Sequence, residues 1–142
     1  DEAKETGDAF LFVRALHNVA RFNDQGGFLD KAVADAFAVL KPGGVAGVVQ
    51  HLAPAANADA WATGEAGYLK TQTVVDAFEA GGFELVSMSE VNANPEDQPT
   101  EEDVVWRLPP TYGDNKDDAE YRAAVDAIGE SDRMTLLFRK PA

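Results

Sequence analysis

With 142 residues, 45% hydrophobic and 9% aromatic, the chain suits one packed domain or a piece of a larger one, and it is too apolar for wholesale disorder. Twelve basic and twenty-five acidic side chains leave a net charge of −13, which argues against a non-specific grip on nucleic acid or anionic lipid, where clustered cations are needed. Cysteine is absent, so disulfides, thiolate catalysis and thiolate-bound zinc are excluded, and no apolar run reaches the roughly 20 residues of a membrane span.

Phe10-Leu11-Phe12-Val13 is a short continuous apolar run, the pattern of a strand buried on both faces of a parallel sheet. Polar and small residues follow through His17, Asn18 and Arg21, and Asn23-Asp24-Gln25-Gly26-Gly27 has loop chemistry. The spacing of Phe28, Leu29, Ala32, Val33, Ala36, Phe37 and Leu40 predicts an amphipathic helix. Lys41-Pro42-Gly43-Gly44 ends it with a cation, a proline and two flexible residues. Val45–Val49 reads as a second strand, closing on Gln50 and His51.

A long connection spans Ala53–Gly67. Thr71 or Thr73 is a candidate cap for a helix carrying Val74, Val75, Ala77 and Phe78, which Gly81-Gly82 stops. Phe83–Val91 is strand-like, Asp117–Ala127 is a third amphipathic helix, and Met134–Phe138 is a last strand. Strands alternating with helices predict a mostly parallel α/β sheet, with a final strand free to run antiparallel.

Charge is unevenly distributed. Glu96–Asp132 holds twelve acids against Arg107, Lys116 and Arg122, so residues 92–130 read as an acidic insertion exposed on a more ordinary core. The chain opens without methionine on a polar stretch and shows nothing like a signal peptide. Its compartment stays open, with cytoplasm slightly favoured.

The strand, loop and helix running into Leu40-Lys41-Pro42-Gly43-Gly44 and an apolar strand resemble the fourth strand, fourth helix and fifth strand of class I S-adenosylmethionine-dependent methyltransferases. Gly81-Gly82-Phe83 resembles the opening of that family's sixth strand. Ser89–Pro95, Trp106–Pro110 and Gly129–Thr135 are similar to bacterial predicted methyltransferases of undefined substrate. The resemblance runs from about Asp8 to Pro141. It implies a partial doubly wound Rossmann-like sheet, with the antiparallel last strand inserted between the fifth and sixth. It also implies that residues 1–142 are the carboxyl-terminal half of the domain. No Gly-x-Gly-x-Gly-like turn follows a strand, so about 80 to 100 residues of strand–helix units are expected upstream. S-adenosylmethionine is the implied cofactor of the parent protein, and tight binding by this chain alone is not expected.

In doubly wound sheets the ligand pocket lies beyond the carboxyl ends of the strands. There fall Arg14, His17 and Asn18, then Gln50 and His51, then Asn92 and Asn94. The resemblance places His17 beside the methyl donor as a catalytic base or orienting group. Arg14, Asn18, His51, Asn92 and Asn94 are the candidate substrate-binding residues. Each has a plainer reading: loop histidines bonded to backbone, or turn formers beside Pro95. His17 and His51 lack metal-ligand spacing, so no metal is expected. The expected partners are a substrate other than nucleic acid, and a second copy or a complementing amino-terminal half covering the edge of the first strand. The alternative function is a non-catalytic, methyltransferase-like interaction module.

Overall fold

One four-stranded sheet, in the order β1-β2-β4-β3, organises the computed structural model, which describes residues 3–142. β1 (Gly7–Val13) lies parallel to β2 (Leu40–His51). β4 (Arg133–Arg139) is antiparallel both to β2 and to β3 (Glu84–Ser89). Three strands therefore run one way, and the last in sequence runs against them between β2 and β3, as the resemblance implied.

Period-two alternation decides which side of each strand is buried. Ala46 and Val48 of β2, Met134, Leu136 and Phe138 of β4 and Phe12 of β1 turn to one core. Against that face lie α3 (Phe28–Val39), through Leu29, Val33 and Ala36, and α4 (Thr71–Ala80), through Val74, Val75 and Phe78. The Phe78 ring stacks on Phe138 at 4.3 Å and meets the edge of Phe12 at 5.7 Å. Each such buried side chain contributes about 1.5–3 kcal/mol of transfer free energy.

The opposite face is bare. Val13 pairs with Val49 and Leu11 with Gly47, and both β1 side chains are more than half exposed, Leu11 at 68% and Val13 at 54%. Leu137, Thr135, Ser87 and Ser89 continue this face across β4 and β3, around an apolar hollow of about 310 Å³.

Element boundaries differ from the sequence reading for identifiable reasons. The Asn23–Gly27 stretch is not merely loop: Asn23–Gly26 forms a single-turn helix, α2, after α1 (Leu16–Ala20). Gly27 in the left-handed region (φ 63°) ends α2 and opens α3, while Asn23 Oδ1 accepts from the backbone N–H of Leu29 at 2.9 Å. α3 ends at Val39, and Leu40 is already extended opposite Gly7, so Lys41–Gly44 is taken into the irregular start of β2. Neither Thr71 nor Thr73 caps α4; both are inside it, behind Lys70, which pairs with Asp59 at 2.7 Å. α5 (Ala119–Ile128) is capped by Asp118, whose Oδ1 accepts from Glu120 and Tyr121 N–H groups at 3.0 Å.

The acidic insertion is only partly the exposed elaboration that its charge suggests. With residues 53–68 it builds a second core from Tyr68, Val105, Leu108 and Val125, roofing the carboxyl ends of the strands. Beneath the roof, Arg107 Nη2 meets Asp97 Oδ1 at 2.7 Å and Arg107 Nη1 donates to the Tyr68 hydroxyl at 2.9 Å. That hydroxyl donates to Asp97 Oδ2 at 2.8 Å, and the same oxygen accepts from Asp132 N at 3.0 Å. All three side chains are buried, so each charge and hydroxyl depends on the others for solvation. Burial, and then Asp97, push the Tyr68 phenol pKa up. Among the described residues, no helix is long and apolar enough to cross a membrane.

Candidate functional site

The backbone at the end of β1 brings the first site residues together. Arg14 N donates to Val49 O at 2.7 Å, one rung beyond the strand, and Arg14 then takes a left-handed φ of 52°. Non-glycine residues seldom adopt that conformation, and where they do the surrounding contacts hold them there. The turn carries the chain into α1, where fully buried Leu16 anchors His17 below the roof. Gly64 packs against the back of this helix. A Cβ at that position would lie 2.7 Å from the His17 carbonyl oxygen, so the connecting loop approaches only because residue 64 has no side chain.

β2 ends on Gln50 and His51. Gln50 Nε2 donates to Gly67 O at 2.8 Å and to His51 O at 3.3 Å, which fixes the amide. Its Oε1 then accepts from His17 N at 3.2 Å and lies 3.2 Å from His17 Nδ1. A carbonyl oxygen can only accept, so this arrangement assigns the proton to Nδ1 and leaves the lone pair on Nε2. Burial lowers the His17 pKa; the Gln50 contact opposes that shift and Arg21 adds to it. The ring is thus held neutral, in one tautomer, with a basic nitrogen that no described residue occupies.

His51 takes the complementary role. Its Nδ1 meets the buried Ser131 hydroxyl, whose oxygen also accepts from Arg133 Nε at 3.1 Å. With the Ser131 hydroxyl donating to His51 Nδ1, the ring's own proton lies on Nε2. Burial first, then the charges of His17, Arg133 and Arg14, lower the His51 pKa to about 3. The two rings are 5.3 Å apart, and the Trp106 ring meets His17 edge-on at 5.8 Å.

These groups line a cavity of about 410 Å³ at the carboxyl ends of β1 and β2. It gathers four of the sequence candidates, Arg14, His17, Asn18 and His51. Asn92 and Asn94 lie outside its lining. Asn92 Nδ2 donates to Thr135 Oγ1 at 2.9 Å, while Asn94 Nδ2 donates to the carbonyls of Ile128 and Glu130. These bonds fasten the start of the insertion to its end. Trp106 and Ser131 also line the cavity and were not among the sequence candidates. An exposed tryptophan within an acidic stretch was the available signal for the first; Ser131 had none. Arg133 lines it too, paired to Glu130 at 2.8 Å.

No known protein-family profile matches the sequence. No curated protein sequence matches it either. Solved structures do match. The chain is similar to the cyclase SpnF over 98% of its own length, with 22% identity and a TM-score of 0.59. It is similar to a Haloferax volcanii complex of the Trm112 methyltransferase activator and its methyltransferase over 98%, with 13% identity and a TM-score of 0.56. An S-adenosylmethionine-dependent methyltransferase from Mesorhizobium loti matches over 96%, with 14% identity and a TM-score of 0.50. The chain spans 51%, 56% and 63% of these three proteins respectively. At such identities the likeness is one of fold: the sheet is a partial Rossmann-like sheet of the class I methyltransferase type.

Proposed function

We propose that residues 1–142 are the carboxyl-terminal half of an S-adenosylmethionine-dependent methyltransferase and supply the acceptor side of its site. The observation that carries this reading is the cavity beyond β1 and β2, where His17 is held neutral with Nε2 free to take a proton from a bound acceptor. Gln50 positions that base, and residues from Trp106 to Ser131 line the same cavity. His17 is the proposed catalytic residue, with Arg14, Asn18 and His51 binding the acceptor. Asn92 and Asn94 support the reading only indirectly, by holding the segment that carries Ser131.

The residues present do not by themselves fit the methyl donor. The turns after the three co-directional strands are Arg14-Ala15, Leu52-Ala53-Pro54 and Glu90-Val91-Asn92, and none offers the glycine-rich backbone that admits the donor closely. S-adenosylmethionine, which alkylates through its sulfonium methyl group, is therefore assigned to residues upstream. The free edge of β1 and the bare sheet face are where an amino-terminal half, or failing that a second copy, would pack. A protein partner has precedent in the Haloferax volcanii complex.

Calorimetric titration with S-adenosylmethionine tests the proposal. The chain alone is expected to bind no more tightly than millimolar, and the chain extended upstream by its coding sequence to bind at micromolar concentration. Micromolar binding by a verified monomer of the present chain would overturn the half-domain reading. Absence of binding by the extended protein would favour a non-catalytic interaction module, an alternative that stands because fold alone does not fix function.

A further inference from the structure

The hydrogen-bonding roles in the cavity narrow what it can hold. His17 Nε2 can only accept; with the Ser131 hydroxyl donating to Nδ1, His51 Nε2–H can only donate, and the two ring centroids are 5.3 Å apart. A hydroxyl group is the simplest partner for both, donating to one and accepting from the other. Arg14 adds a fixed cation. Its side chain is exposed at the cavity and makes no ion pair with any described carboxylate, although the chain carries −13 overall. Arg133 also lines the cavity, and Glu130, the acid of the lining, is already paired to it. An ammonium ligand would find two arginines and no free carboxylate there. An anion would find Arg14, which no described carboxylate pairs. Val13, Trp106 and Pro109 supply an apolar side against which a ring can lie.

We infer that the cavity selects a small hydroxylated anion, Arg14 holding its negative group while the hydroxyl donates to His17 Nε2 and accepts from His51 Nε2–H. The inference deepens the acceptor-side reading and depends on it only for the fate of the ligand. It assigns the acceptor atom to oxygen and disfavours amines.

The test uses the chain as it stands and no methyl donor, so its failure is separate from failure of the donor titration. Nitrogen NMR of the two imidazoles at neutral pH is expected to show His17 protonated at Nδ1 and His51 at Nε2; the opposite tautomer of either ring overturns the proposal. Para-hydroxybenzoate is then titrated to millimolar concentration, against phenol, which lacks the anion, and tyramine, which replaces it with an ammonium. The expected result is movement of both Nε2 signals with para-hydroxybenzoate, and affinities about tenfold weaker for the other two, the scale of one charge-assisted contact. Arg14→Asn, which tolerates the left-handed backbone, is expected to erase the preference over phenol without changing either tautomer. No shift with para-hydroxybenzoate, equal or tighter binding of tyramine, or a preference that survives Arg14→Asn would each overturn it.

Discussion

The two faces of the sheet are built from the same strands and differ in what lies against them. On one, Phe12, Val48, Leu136 and Phe138 meet α3 and α4 in a core where rings stack at 4.3 Å. On the other, Leu11, Val13, Val49 and Leu137 are just as apolar, yet the β1 side chains stand more than half exposed. Polarity of the strand therefore does not tell the faces apart; only the presence of a covering helix does. A face of β-branched and aliphatic residues left open is a surface shaped for contact, and it adjoins the free edge of β1.

Substitutions of similar size are therefore expected to have very different effects on the two sides. Phe78→Ala, which empties the centre of the covered face, is expected to cost about 3–5 kcal/mol in chemical denaturation. A loss below 1 kcal/mol would mean that the helices are loosely docked and the faces more alike than the structure shows. The roof gives an intermediate control, because it belongs to neither face. Asp97→Ala strands the Arg107 guanidinium and the Tyr68 hydroxyl in a buried setting, at an expected cost of about 3 kcal/mol, near the lower end for a broken buried pair. Retention of wild-type stability would show that the roof is anchored elsewhere.

A gentler probe is pH. His51 titrates at 6.5 when unfolded and at about 3 when folded, so below 6.5 the unfolded chain binds the extra proton. Stability is expected to fall as pH drops from about 6.5 towards 3, by up to about 1.4 kcal/mol per pH unit from this group. Between pH 6.5 and 5, above the usual carboxylate range, His51→Gln should flatten the slope; an unchanged slope would place its origin at another group. The smallest effect belongs to the open face. Leu11→Lys is expected to change stability by no more than about 0.5 kcal/mol while reducing self-association in sedimentation. A loss comparable to that of Phe78→Ala would show that the face is covered after all.

How much of this was legible in the sequence follows from the range of the forces involved. The covered core was readable because Phe28–Leu40 and Val74–Phe78 repeat with helical spacing and Val45–Val49 is an unbroken apolar run; Phe10–Val13, whose pattern suggested burial on both faces, buries Phe12 but leaves Leu11 and Val13 exposed. The ends of these elements were less readable. Asn23 serves as a cap for α3 across a helical turn, and Leu40 becomes extended because Gly7 lies opposite it; neither partner is a sequence neighbour. In the cavity, Arg14, His17, Asn18 and His51 followed from their place after strands. The roof's Trp106 and Ser131, and Arg133 at the start of β4, arrive through contacts tens of residues long. The tautomer of His17 depends on Gln50, which depends in turn on Gly67 O, and such a chain of bonds leaves no periodic trace.

β4 is the last of the four described strands in chain order, but it occupies the interior of the sheet. Until residues 133–139 have emerged, β2 and β3 share no neighbour, and the aromatic stack on Phe138 lacks its far member. The earlier elements can form local helices, but the sheet cannot close progressively behind the moving chain. Completion of this sheet on the ribosome thus waits for β4, and a nascent chain stalled just short of it exposes both an unfinished sheet and the apolar sides of α3 and α4.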